Sequence, residues 1–412
     1  MVPVVMSRAK AFLSRPLFLV LLIPAVIKLF FLAPDHLFEP HTMAEEWIRS
    51  GEFKYHYLGA WNYTFQFPVY TALVAAFYLL GLGPVAVLVF QVVCGTTTAW
   101  LVYRMALIVC EGRSYDRSVA LGAALLTGLN PFLAYYQVRV LHPFAWDTFL
   151  AMALLLAAMT VLSERRGQVI GLFALAGFVM LDRPTLIVFL LPFVWRERHF
   201  LFSLSELHLK FLMIALMICP LVGWSFRNHS VTGRWELNSV TQQMLWMGIQ
   251  EGTEGGGHLP NGDNYLYLLS VPERHAVLAL DPPGQSAFFQ RKWKAELDAK
   301  PGLWYTMFAV KLKSFWLFRS HLGMGHDMPG MQLVALLYKV YAAVLFVLLV
   351  VALILRNIHV NMMLFAALAL SIGQSLFYFE TRHRLLIEPV LMLIGLYALV
   401  EIRHMIIAKR SG

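Results

Sequence analysis

The stretch YFETRHRLLIEP, Tyr378 to Pro389, gathers Glu380, Arg382, His383 and Arg384 at the edge of an apolar run that resumes at Leu385. Arg382 and Arg384 carry planar guanidinium forks that match phosphate oxygens two at a time, and a basic pocket beside apolar segments suits a lipid-phosphate head group. Arg183, within Leu181-Asp182-Arg183-Pro184, and Arg227, at the end of another apolar run, stand in comparable settings. Salt bridges to Glu380 or Asp182 are the bland use of the same residues. On the acidic side, Asp35 and Glu39 lie just beyond the first apolar run, in APDHLFEPHTMAEEWIRSGEF. A carboxylate held at such an edge can act as a general base, whereas Glu45, Glu46 and Glu52, on what reads as a short surface helix, are expected to be solvated. His142, between Arg139 and Pro143, completes the set of substrate-binding candidates with Arg183, Arg227, Arg382 and Arg384.

The elements that must position these residues are membrane spans. Of 412 residues 59% are hydrophobic and 14% charged, and the apolar ones come in long runs rather than at amphipathic spacing, which is the composition of an integral membrane protein. The run 16–33 follows Arg8, Lys10 and Arg15 as a signal peptide would, but Ala33-Pro34-Asp35 is a poor cleavage site and the run is read as a span. The net charge of +9 sits mostly in clusters beside apolar segments, so it reads as positive-inside anchoring and not as a nucleic-acid surface. Cys94, Cys110 and Cys219 lie inside apolar runs without ligand spacing, and no histidine pair among His36, His41, His142, His258, His321 and His326 has zinc-helix spacing. Nothing in the sequence requires a cofactor or supports a divalent metal.

The expected fold is an all-α polytopic bundle of about ten spans with both termini cytoplasmic. They cover 16–33, 84–110, 118–137, 144–162, two short helices within 168–195 that meet at Leu181-Asp182-Arg183-Pro184, then 210–226, 332–355, 360–379 and 385–403. The run 67–83 is expected to lie in the outer interface. This threading places Arg113, Arg166, Arg198 and Lys409 inside, and it gathers loop 34–66, Arg139, His142, Asp182-Arg183, Arg227 and Arg382 outside. Ionisable residues that collect at one depth of a bundle mark a site. Three regions follow: an N-terminal transmembrane module 1–226 with a first outer loop 34–83, an external region 227–331, and C-terminal transmembrane helices 332–412. Within the external region GTEGGGHLP reads as a flexible loop tip and 303–319 as amphipathic. Asn62-Tyr-Thr and Asn228-His-Ser are sequons short enough to arise by chance.

Several stretches, in order along nearly the whole chain, resemble the polytopic glycosyltransferases of the GT-C class, the group of the protein mannosyltransferases and the lipid A aminoarabinose transferase. They are AEEWIRSGEF (44–53), FPVYTALVAAFYLLGLGP (67–84), LNPFLAYYQVRVLHPF (129–144), MLDRP (180–184), RNHSVTGRWELNS (227–239), AELDAKPGLWYTMFAVKLKSFW (295–316) and ETRHRLLIEP (380–389). The resemblance implies an inverting transfer of a sugar from a polyprenyl-phosphate donor to a glycan, lipid or protein acceptor, at the outer face of a bacterial inner membrane. By position it implies Asp35 or Glu39 as the acid that handles the acceptor, and Arg382 or Arg384 as the holder of the carrier phosphate. Where many members carry a second outer acid before a proline, this chain has Leu141-His142-Pro143, with Asp147 farther along. Two other readings are a non-catalytic flippase or exporter of lipid-linked sugars and an assembly subunit of a polysaccharide complex. A transport path calls for charge at mid-membrane depth, whereas here the charge concentrates at one lip.

Overall fold

The structure, a computed structural model, describes residues 15–259, 261, 263–317 and 331–411. Arg8, Lys10, His321 and His326 lie outside the described residues, as do 318–330 of the external region. The chain is an all-α polytopic membrane protein. Helix α1 (Arg15–Phe30) leads to α2 (Glu39–Ser50) and α3 (Pro68–Leu79), then to the long α4 (Pro84–Val109). Next come α5 (Asp116–Leu129), α6 (Pro131–Val138), α7 (Phe144–Thr160) and α8 (Arg166–Asp182), a 3-10 segment Pro184–Leu190, α9 (Leu191–Arg196) and α10 (Arg198–Phe202). Helices α11 (Leu207–Thr232), α12 (Thr241–Gly248), α13 (Val271–Leu278), α14 (Pro282–Ala299) and α15 (Leu303–Leu317) precede α16 (Met331–Ile354), α17 (Ile358–Leu376), a 3-10 turn Thr381–Leu386 and α18 (Glu388–Ser411).

Five of these helices are long and apolar enough to cross a membrane, and six segments are if the bent pair α5–α6 counts as one. The sequence reading counted about ten spans; the others correspond to shorter apolar stretches such as Pro16–Phe30, Phe144–Thr160 and Pro184–Arg196. The expected continuous span 118–137 is broken by 50° at Asn130-Pro131. Proline has no N–H to continue the helix, and the Asn130 side chain accepts from the N–H groups of Phe132 and Leu133 instead, starting α6 in a new direction. The break expected at Asp182-Arg183-Pro184 is present, and Arg183 has the extended backbone that a following proline imposes. Helix α3, with 12 residues, is about 18 Å long, too short for a hydrocarbon core of about 30 Å, as the interfacial reading requires. It packs on α2 through Ala44, Tyr70 and Val74. The bundle core is a continuous apolar cluster that includes Val102, Met105, Leu154, Phe189 and Leu391.

The polar segments fold together. A small hairpin, β2 (Tyr55–Tyr57) with β3 (Ala60–Asn62), docks on the later region: Tyr57 and Tyr265 share a hydroxyl hydrogen bond of 2.9 Å, and Gln285 Nε2 donates to the Leu58 carbonyl at 2.8 Å. The two sequon asparagines are both buried; Asn62 Oδ1 accepts from Ser239 Oγ at 2.8 Å and Asn228 Nδ2 donates to the Glu236 carbonyl at 3.0 Å. GTEGGGHLP is not a flexible tip. Gly255, Gly256 and Gly257 are buried, and the Gly255 carbonyl accepts from Phe379 N at 3.1 Å, so the strap lies along the residues that enter the 381–386 turn. Gly248 approaches the Phe377 carbonyl so closely that a Cβ would collide with it, and Gly255 sits at φ +76°, where glycine carries no steric cost. Lys311, buried on α15, donates to that same Phe377 carbonyl.

Candidate functional site

The site begins with a backbone clamp. Ala33 N donates to the Val138 carbonyl and Asp35 N to the Arg139 carbonyl, and β1 (His36–Leu37) pairs in parallel with β4 (Val140–Leu141). The clamp fastens the loop after α1 onto the segment that ends in His142, so that residues about 100 positions apart in sequence share one surface.

Phe144, the first residue of α7, is the hub. The His142 imidazole stacks on its ring at 4.5 Å and 13°, the Arg183 guanidinium lies 5.1 Å from its centroid and the Arg382 guanidinium 5.7 Å, while His383 is 6.0 Å away. Arg382 also lies 5.8 Å from the Phe38 ring. Aromatic faces attract guanidinium groups, which helps two arginines, each also paired with a carboxylate, gather on one ring. Arg183 in turn donates to Asp147 Oδ2 at 2.7 Å, on a carboxylate only 2% exposed. Asp182 Oδ2 is buried without a hydrogen-bond partner among the described residues. Asp147, Asp182 and Arg183 line a cavity of about 100 Å³ together with Gln66, Tyr70 and Thr71.

On the far side of the hub, Glu380 pairs with Arg382 and accepts from the Tyr378 hydroxyl. The Glu380 N–H donates to His383 Nδ1 at 3.3 Å, which leaves the His383 proton on Nε2. Burial first, and the neighbouring guanidiniums of Arg183 and Arg382 after it, hold His383 well below its usual range. His142 is held low by burial, then by Arg382 and Arg183, and its Nδ1 is buried without a partner among the described residues. Both imidazoles are therefore neutral near pH 7.

The sequence candidates separate by environment. Asp35 is 47% exposed and bound to Arg139 at 2.8 Å, at the rim. Glu39 starts α2 half-buried, and burial first, then the Glu39 carboxylate, push the Tyr55 phenol up to about 12. Arg384 is built into the core, with Nε 3.1 Å from Glu388 Oε2 and NH1 donating to the Trp316 carbonyl at 2.7 Å. Arg227 donates to the Tyr63 and Phe53 carbonyls and stacks near Phe53 and Trp224, tying the first loop to α11 rather than joining the Phe144 group. Of the sequence candidates, the structure brings Arg183, His142 and Arg382 together around Phe144. The sequence reading names Glu380, His383 and Asp147 without giving them a place in the site, and it gives Phe144 no role. Asp147 gave a usable signal, because an acid in the first turn of an otherwise apolar helix needs a reason. Among the described residues no group of three His, Cys, Asp or Glu side chains is placed to hold a metal ion.

Residues 66–224 match the family model described as dolichyl-phosphate-mannose-protein mannosyltransferase. The match bears out the resemblance to membrane glycosyltransferases of the GT-C class. The matched stretch contains His142, Phe144, Asp147, Asp182 and Arg183, and it excludes Asp35, Glu39, Arg227 and Arg382. The apo structure of ArnT from Cupriavidus metallidurans aligns over 92% of this chain and 76% of its own, at 14% identity and a TM-score of 0.39. No curated protein matches the chain in sequence.

Proposed function

We propose that the protein transfers a sugar from a polyprenyl-phosphate-linked donor to a glycan, lipid or protein acceptor, at the outer face of a bacterial inner membrane and with inversion at the anomeric carbon. The observation that carries the reading is the pair of guanidiniums, Arg183 and Arg382, on one aromatic ring. Arg382 holds the donor phosphate, and Arg183, fixed by Asp147, adds positive field beside it. In the reaction the acceptor oxygen loses its proton to Glu39 and bonds to the anomeric carbon. The bond from that carbon to the phosphate oxygen breaks, and its electron pair leaves on the carrier phosphate, where the arginines stabilise the added charge. Attack opposite the leaving phosphate inverts the centre. Neutral His142 and His383 enclose the site without competing for the phosphate as cations.

Of the two acids after α1, Glu39 is assigned the base, because Asp35 is exposed and held by Arg139. The test is sugar transfer from a purified polyprenyl-phosphate sugar by the full-length protein in membranes. Glu39→Gln should lower turnover by about 100-fold with donor binding kept, and Asp35→Asn by less than about 5-fold. Wild-type turnover in Glu39→Gln removes Glu39 from the mechanism. Loss in Asp35→Asn alone transfers the role to the rim.

A further inference from the structure

A second cleft lies away from the Phe144 group, where α11 ends and the chain turns into α12. It is an open cleft of about 540 Å³, within the roughly 300–1,000 Å³ typical of ligand clefts, and Arg234, Trp235, Glu236, Asn238, Gln242 and Ser286 line it. We infer that this cleft is a saccharide-binding site, which receives the sugar chain of a glycan acceptor.

The backbone beneath the cleft is fixed by residues outside its lining. Asn228 Nδ2 donates to the Glu236 and Leu237 carbonyls, Trp224 Nε1 to the Leu237 carbonyl, and Ser239 N to the Thr64 carbonyl. The side chains above keep unused hydrogen-bonding capacity. Asn238 Oδ1 accepts from Thr241 and Gln242 Oε1 accepts from Trp293 Nε1, which orients both amides and leaves both NH2 groups to donate elsewhere. Ser286 is 8% exposed and adds its hydroxyl to the lining. Arg234 and Glu236 stand 3.8 Å apart, a loose pair, and Glu236 Oε1 is held by Thr64 at 2.7 Å.

Fixed amides, a carboxylate and a hydroxyl arranged around a cleft match the vicinal hydroxyls of a sugar ring, which both donate and accept. Trp235 supplies the complementary apolar surface. Its ring stacks on His229 at 4.3 Å and 24° and remains 64% exposed, a rigid platform for the C–H face of a pyranose. Interfacial anchoring would account for an exposed tryptophan near Phe226, but not for a cleft beside it lined by Arg234, Glu236, Asn238, Gln242 and Ser286. The inference rests on the transferase reading for its purpose, but saccharide binding here is independent of donor binding at Arg382.

The test uses the full-length protein in lipid nanodiscs and three unmodified tetrasaccharides, of glucose, of mannose and of N-acetylglucosamine, followed by saturation-transfer NMR on the sugar. At least one should bind, with the strongest transfer to its ring C–H protons. Trp235→Ala and Ser286→Phe, which removes the platform or fills the cleft, should each weaken binding at least ten-fold, and Arg382→Ala should leave it unchanged. Absence of binding by all three sugars, or persistence in Trp235→Ala, overturns the inference. Equal loss in Arg382→Ala also overturns it, by placing the sugar at the Phe144 group. Failure of the donor reading shows separately, as polyprenyl phosphate that does not bind while the tetrasaccharide still does.

Discussion

The two halves of the 381–386 turn use similar residues to opposite ends. Its entry faces the Phe144 group, where Arg382 shares one ring with Arg183 and is balanced by a Glu380 that the Tyr378 hydroxyl also engages. Its exit enters the core, where Arg384 and Glu388 are 1% and 0% exposed and hold α18 to the end of α15 through the Trp316 carbonyl. At the opposite end of the bundle the arginines resemble Arg384: Arg196 donates to the carbonyls of Met159 and Val161, and Arg113 pairs with Glu401 at 3.5 Å. Charge at a helix end is thus a poor guide to function by itself. What distinguishes the Phe144 group is that two guanidiniums, Arg183 and Arg382, meet on one aromatic ring beside His142 and His383.

The largest effect should come from Arg382. Arg382→Ala is expected to weaken polyprenyl-phosphate binding by about 100-fold, measured by titration in nanodiscs, and Arg382→Lys by about 10-fold, since the charge survives without the fork. Arg384→Ala should leave affinity per folded molecule unchanged and instead destabilise the protein by about 3–5 kcal/mol, because Glu388 would remain buried and unpaired; thermal unfolding reads this directly. If the two variants exchanged phenotypes, the contrast between the halves of the turn would collapse. The smallest effect concerns pH. The folded-state value of His142 is depressed, so its contribution to stability is complete above the unfolded value of about 6.5 and is lost as pH falls through that value toward the folded one. Melting temperature should therefore drop between pH 7 and pH 5, and His142→Gln should shrink that drop by about 1–3 °C.

Most of the bundle was legible in sequence because hydrophobic length is a local property. The long apolar runs, the stop at Asp182-Arg183-Pro184 and the short α3 are each written within about 20 residues. The bend at Asn130-Pro131 was also local, but an uninterrupted apolar run masked it. The site was legible only by type. Arg183 and Arg382 stood out as arginines beside apolar runs, yet their meeting on Phe144 depends on three separated segments packing together. Asp147 looked like one acid low on a span, and only the fold brings Arg183, 36 positions later, to within 2.7 Å of it. Asp35 and Glu39 were indistinguishable until Arg139 had claimed the first. The glycine strap misled because a buried glycine and a mobile one are spelled alike.

That strap bears on how the protein can be handled. Glycine-rich extramembrane segments are favoured places to insert an epitope or a labelling peptide, since exposed tips tolerate added length. Here residues 255–257 are buried, and the Gly255 carbonyl receives Phe379 N, three residues ahead of Arg382. A tag placed there would pry the turn from its seat and yield a protein that reaches the membrane and reacts with antibody, yet reports a false negative in every transfer assay.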